Sequence, residues 1–98
     1  MGNSSVTYHE SLDDLSLETR DLHRALVSLQ EELEAVDWYG QRAEACKDNE
    51  LKQVLLHNMR EEIEHASMLL EWLRRHSEYM DEQLKKYLFS EHAITDLE

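Results

Sequence analysis

Along the first half of the chain, steps of three and four connect Leu12, Leu15, Thr19, Leu22, Leu26, Leu29, Leu33, Val36, Gly40 and Ala43. This spacing keeps one stripe of a helix toward a partner and predicts near-antiparallel helix packing. Ser11-Leu-Asp-Asp14 reads as the helix start, with Ser11 capping and Asp14 reaching back. Cys46-Lys-Asp-Asn49 reads as a short turn in which Asp48 or Asn49 caps the next helix. A second stripe then runs Leu51, Leu55, Asn58, Glu62, His65, Leu69, Trp72, His76. Ser77 is read as the cap of a short third helix with Met80, Leu84, Tyr87 and Leu88 on its apolar face. The predicted class is all-α. One helical domain spans about residues 11–92, with helices at about 12–45, 49–76 and 78–89. Residues 1–10 read as a flexible polar tail and residues 93–98 as a C-terminal tail.

Both long helices carry more apolar surface than a hairpin can bury. Val27, Glu31, Glu34 and Trp38 lie roughly opposite the first stripe, and Leu56, Met59, Ile63 and Leu70 lie beside the second. Either the third helix folds back over one of these faces, or the chain is an oligomer. Gly40 on the stripe costs about 1 kcal/mol of helix propensity relative to Ala. Close helix approach is one reason to keep it, and a local irregularity is another.

Composition narrows the function. The 98 residues include no Pro and only two Gly, which suits long helices and few turns. The formal charge of −12 argues against binding phosphates, so no nucleic acid is expected as a partner. An acidic surface keeps a chain soluble or concentrates cations. No apolar run approaches a membrane span and no signal peptide is read, so neither a membrane association nor export is expected. A single Cys46 excludes an internal disulfide and fits a reducing, cytoplasmic compartment.

The second stripe is wrong for a simple core. Its middle positions are Asn58, Glu62 and His65, and a carboxylate in an apolar seam is costly unless paired. Glu and His at i and i+3 project from one helix face and can hold one metal ion; a buried polar network without metal is the plainer reading. If the hairpin folds near residue 47, residues whose numbers sum to about 94 lie side by side. Glu32, flanking the stripe next to Leu33, then faces Glu62, and Leu29 faces His65. Tyr39 shares the flank of Glu32 one heptad on, either as a hydrogen-bonding neighbour of the cluster or as a packed aromatic.

Stoichiometry then counts. Di-iron four-helix sites take one Glu from each of two helices and a Glu-x-x-His from each of the other two. This chain has one of each, so two copies about a two-fold axis supply the complete set. Carboxylates and imidazoles without thiolate suit iron or manganese, though zinc can occupy such sites. Glu31 and Glu34, with Trp38 one turn beyond, form a second acidic group, and Glu61 and Glu64 form a third; solvated faces are the alternative for each. His57 lies near this face and is a candidate to join them. His9, His23, His76 and His92 read as surface residues. Glu61-Glu-Ile-Glu-His65 lacks the second histidine of a zinc-protease helix.

Glu31-Glu-Leu-Glu-Ala-Val-Asp-Trp-Tyr39, His57-Asn58, Glu61-Glu62, Glu64-His65, Leu70-Glu-Trp-Leu-Arg-Arg75 and Tyr87-Leu-Phe89 together resemble the encapsulated ferritins, from about Leu15 to Phe89. The resemblance implies a ferritin-like antiparallel hairpin plus a short C-terminal helix, a four-helix bundle completed by dimerisation, and a ring of five dimers. It implies a ferroxidase centre between two subunits with Glu32, Glu62 and His65 as ligands, Tyr39 nearby, and two iron ions (Fe²⁺ oxidised to Fe³⁺ by O₂) per subunit pair. Glu31, Glu34 and Trp38 become a metal-access site with Trp38 as a steric gate, and Glu61 and Glu64 further cation contacts. The partners implied are further copies of the chain and an encapsulin shell protein, with the chain as cargo inside the nanocompartment. Family members carry a C-terminal shell-docking peptide, which the sequence to Glu98 does not include. Two other classes remain open from the residues alone. One is a non-catalytic, metal-stapled oligomerisation module, and the other is an acidic helical adaptor.

Overall fold

Three extended residues, Cys46, Lys47 and Asp48, join helix α1 (Leu17–Ala45) to helix α2 (Asn49–His76), so the two long helices fold back on one another as a hairpin. The computed structural model describes residues 7–98. Residues 1–6, most of the stretch read as a tail, lie outside the described residues. A short helix α3 (Glu78–Tyr87) follows and packs on α2. No strand forms among the described residues, and the fold is all-α. Among the described residues no helix is long and apolar enough to cross a membrane.

Each helix start has a side-chain cap. Asp48 Oδ2 accepts from the Leu51 amide at 2.8 Å, so of the two candidate caps for α2 it is Asp48 that acts. Ser77 Oγ accepts from the Met80 amide at 3.3 Å and starts α3. The start of α1 departs from the expectation. Ser11 makes no side-chain cap; Leu12–Asp14 is a single 3₁₀ turn, and Leu15 turns the chain to extended backbone. The helix begins at Leu17, with Ser16 Oγ accepting from the Thr19 amide at 3.1 Å. Two serines five residues apart both precede an acidic and apolar run, and the second is the one whose geometry closes. The Arg20 guanidinium holds the 3₁₀ turn by donating to the Leu12 carbonyl. Tyr8, read as part of the tail, stacks on His23 with ring centroids 4.1 Å apart.

The other end also differs. α3 stops at Tyr87, not at Phe89, because Phe89 takes φ 62°, a left-handed backbone that ends a helix. Leu88 and Phe89 are therefore exposed, Phe89 completely, and Leu88 does not share the apolar face of α3 as expected. Beyond them Ile94–Leu97 forms another 3₁₀ turn, where a plain tail was expected.

The stripe that α1 buries keeps Leu22, Leu29, Val36 and Ala43 of the predicted one but takes Ala25 and Glu32 where the spacing picked Leu26 and Leu33. Ala25 and Ala43 are buried, and Leu22, Leu29, Glu32, Val36 and Tyr39 are half-buried between them. Leu26 and Leu33 are 43% and 53% exposed. On α2 the inner stripe is Leu55, Met59, Glu62, Ala66, Leu69 and Leu73, with Leu73 fully covered, while Leu51 is half-exposed. Small residues at the centre let the helices approach, and the bulkier leucines stand off to one side. A Cβ added to Gly40 would stand 3.5 Å from Met59 Sδ, an ordinary contact, so close approach within this hairpin does not require the glycine.

α3 is tied to α2 by charge as well as apolar contact. Arg74 donates through Nε and Nη2 to the two carboxylate oxygens of Glu71, at 2.7 and 2.8 Å, and through Nη1 to Asp81 of α3 at 2.5 Å. Arg75 adds a bond to Glu71 at 2.7 Å, and Lys85 lies 3.1 Å from Asp81.

Candidate metal centre

Glu32 stands on the inner stripe of α1, and Glu62 on that of α2, with His65 one turn further along the same helix. The hairpin brings the three together: one donor atom from each lies within 4.8 Å of the others. His65 Nδ1 is 3.5 Å from Oε2 of both Glu32 and Glu62. All three side chains are half-buried. Among the described residues no other group of three or more carboxylate, imidazole or thiolate donors is gathered in this way.

The electrostatics are those of a crowded acidic site. Glu32 is raised above the usual carboxylate range, first by the adjoining Glu62 carboxyl with which it can share a proton, then by burial and by the charge of Glu62; His65 opposes this. Burial is the largest single influence on His65 and lowers it. The charge and hydrogen-bonding capacity of Glu32 and Glu62 together outweigh burial, so His65 holds its proton above its usual range. Oε2 of Glu32 is shielded from water and makes no hydrogen bond; its neighbour His65 Nδ1 stands off at 3.5 Å. An acceptor left in this state is costly, and a cation between the three side chains removes the cost. The donor set fits such an ion: two carboxylates and one imidazole, with no thiolate, are hard and borderline ligands that suit Fe²⁺ or Mn²⁺.

The remaining candidates lie around this cluster. Tyr39 follows Glu32 on the same stripe by seven residues, and the Arg42 guanidinium lies over its ring, 5.5 Å from the centroid. Trp38 is half-exposed and shares a groove of ≈250 Å³ with Gln41 and Arg42. Glu31 and Glu34 are exposed on the outer side of α1. Glu61 does not join the three; its Oε1 lies 3.4 Å from Nε2 of His57, one turn earlier. Glu64 lines a different groove, floored by Met68 and Trp72. His76 stacks on Trp72 with ring centroids 3.9 Å apart, away from the cluster. Sequence reading passed over Arg42, although its i+3 spacing from Tyr39 was in plain view.

The chain is similar to known proteins over most of its length. The sequence profile of the EncFtn-like family matches residues 7–91. The chain is 54% identical over 98 residues to the encapsulated ferritin-like protein of Rhodospirillum rubrum, covering 100% of this chain and 70% of that protein. It is 52% identical over 91 residues to the ferritin-like protein of Thermotoga maritima, covering 93% and 80% of the two chains. A crystal structure of a protein from Nitrosomonas europaea superposes with a TM-score of 0.85 at 60% identity, over 89% of this chain and 96% of that one.

Proposed function

This chain belongs to the EncFtn-like family, and on that premise we propose that it is a ferroxidase, taking Fe²⁺ as substrate and oxidising it with O₂ to Fe³⁺. The observation that carries the reading is the convergence of Glu32, Glu62 and His65, with the water-shielded Oε2 of Glu32 among them. Three protein donors are a half-set. A two-fold copy doubles them to four carboxylates and two imidazoles, the complement of a di-iron bundle. Iron supplies the electrons for O₂ when bound. The protein's part is to hold two cations close together, to neutralise their charge with carboxylates, and to release the proton on His65 so that its nitrogen can ligate.

Around this centre the reading assigns further roles. Tyr39, one heptad beyond Glu32 on the same stripe, borders the centre. Exposed Glu31 and Glu34 attract cations without gripping them, and Trp38 narrows the path. Glu61, Glu64 and His57 hold cations weakly nearby. Dimers close into a ring of five pairs, ten chains in all, carried inside an encapsulin shell where oxidised iron is stored as mineral. The name of the Rhodospirillum rubrum relative supports the shell.

The decisive experiment pairs iron-dependent oxygen uptake with anomalous scattering at the iron edge from crystals soaked in Fe²⁺. Wild-type chain should consume O₂ in step with added Fe²⁺ and place iron between Glu32, Glu62 and His65. Glu62→Ala removes one ligand type twice per site by symmetry and should fall to the uncatalysed rate, with His76→Ala unchanged. Iron at the centre without oxygen uptake would leave a metal-stapled module instead. Uptake by Glu62→Ala equal to wild type would overturn the ligand assignment.

A further inference from the structure

The hairpin has two broad sides, and the candidate centre uses one of them. His65 and Trp72 are seven residues apart, so they share a flank of α2. A groove lined by Ala25, Ser28, Leu69 and Trp72 sets that flank beside Ser28 of α1, and this side is the front. On the other flank of α1 the same seven-residue step joins Leu26, Leu33 and Gly40, and on α2 it joins Leu56, Ile63 and Leu70. A Cβ on Gly40 would stand 3.5 Å from Met59 Sδ, which places these two flanks together on the back. Leu26, Leu33 and Ile63 are about half-exposed there. A copy that completes the centre from the front leaves this apolar back bare.

The charges around the back differ in sign from one helix to the other. On α1 they are Asp37 and Glu44, and on α2 they are Lys52 and Arg60. Asp37 accepts a hydrogen bond from Gln41 at 3.0 Å. Among the described residues Asp37, Glu44, Lys52 and Arg60 form no ion pair within the chain. We propose that the back is a contact with a second copy of the chain, in which α1 of each copy lies on α2 of the other. A two-fold axis running along the helices produces this arrangement and keeps every residue at its own height. Leu33 follows Glu32 and Ile63 follows Glu62, so these two apolar side chains come level as the two carboxylates do. Counted from there, Asp37 of one copy meets Arg60 of the other and Glu44 meets Lys52, to within about one helical turn. With α1 laid on α1 and α2 on α2, acids would face acids and bases would face bases. An apolar centre with opposite charges at its rim is the make-up of a specific protein contact. The proposal rests on the ferroxidase reading only in leaving the front to the centre.

Analytical ultracentrifugation of the full chain in EDTA at low ionic strength isolates this contact, because metal-free carboxylates repel across the front. Wild type should form dimers. Arg60→Glu sets acid against acid twice per pair, and Asp37→Arg sets base against base, so each variant alone should self-associate about tenfold more weakly. Mixed together, the two variants restore opposite charges at both places and should form a mixed dimer about as tight as wild type. That rescue also shows that both variants fold, and no contact within one chain can produce it. Leu33→Arg should remove the dimer while far-ultraviolet circular dichroism keeps its helical signal. Wild type that stays monomeric in EDTA leaves the back to a different protein and overturns the proposal. Self-association of Arg60→Glu equal to wild type, or a mixture that associates no better than its parts, overturns it as well. Oxygen uptake enters none of these readouts, so a chain that oxidises no iron sinks the ferroxidase reading and leaves the masses in EDTA to decide the contact.

Discussion

At the scale of single residues, His65 is the group on which protons and metal compete. Its folded pKa lies above the ordinary histidine value of about 6.5. The contribution it makes to the metal-free fold is therefore complete below the unfolded value and is lost as pH rises through the folded one. Glu32 is likewise raised, so its ionised form is the disfavoured one, and metal-free stability falls as pH climbs through the Glu32 range. A bound cation reverses both. Metal affinity should therefore rise with pH until His65 has lost its proton, by about tenfold per pH unit if one proton is released. Anaerobic calorimetric titration with Fe²⁺ at a series of pH values measures it. His65→Gln should lose affinity at least roughly tenfold and should flatten that rise, and an unflattened slope would move the proton elsewhere. Glu62 and His65 were legible in the sequence because a charged pair interrupts an apolar stripe. Glu32 was found by hairpin arithmetic but was placed beside the stripe, whereas it stands on it. What no spacing could show is the shielding of Oε2, which depends on how the two helices close over it.

At the scale of elements, periodicity gave the helices, and half of the first stripe holds. The 3/4 spacing put Leu22, Leu29, Val36 and Ala43 on the hairpin seam, where they stand, but it also put Leu26 and Leu33 there, where Ala25 and Glu32 stand instead. Hydrophobic spacing cannot distinguish a face packed within the chain from a face kept for a neighbour, and the tighter contact selects the smaller residue. Gly40 follows from the same geometry. Room for a Cβ against Met59 means that Gly40→Ala should gain about 0.5–1 kcal/mol of helix propensity. Thermal unfolding should rise by several degrees, about 4–8 °C for 1 kcal/mol in a chain of this size. A fall instead would show that a second copy packs against Gly40. The joint between α2 and α3 is legible only in the structure. Glu71 is held at about 2 by its hydrogen bonds to Arg74 and then Arg75, and Asp81 is lowered by Lys85 and then Arg74. Lowered carboxylates contribute stability present above their unfolded values, near pH 4, and lost as pH falls toward 2. Arg74→Ala removes the shared cation at any pH. Trypsin should then cut after Lys85 and Lys86 several-fold faster than in wild type, and an unchanged digestion rate would assign the joint to apolar contact alone.

At the scale of the whole molecule, one chain is unusually open. Its radius of gyration is 17.0 Å, against about 13 Å for a compact domain of similar length. Only Ala25, Ala43, Ala66 and Leu73 are buried among the described residues. Leu26 and Leu33 of α1 and Val54, Ile63 and Met68 of α2 remain about half-exposed, an unusual load of apolar surface for so small a chain. Association would bury it, but association through the half-centre brings up to four carboxylates together, and these repel until a cation arrives. Fe²⁺ should thus shift the chain from small species to larger assemblies, and EDTA should reverse the shift. Light scattering with identical mass distributions under both conditions would remove metal from the control of assembly.

The connection Cys46–Lys47–Asp48 also limits which lengths of this chain can be inherited. Three extended residues reach roughly 10 Å, close to the 8–10 Å that separates packed helix axes. An added residue can bulge into water without disturbing Glu32 or Glu62. A removed residue has no slack to draw on and must unwind a helix end or slide α2 by about 1.5 Å per residue with a turn of about 100°. That rotation carries Glu62 off the stripe it shares with Glu32. Descendants of such a gene can therefore lengthen this turn freely, but a single codon lost there costs them the centre.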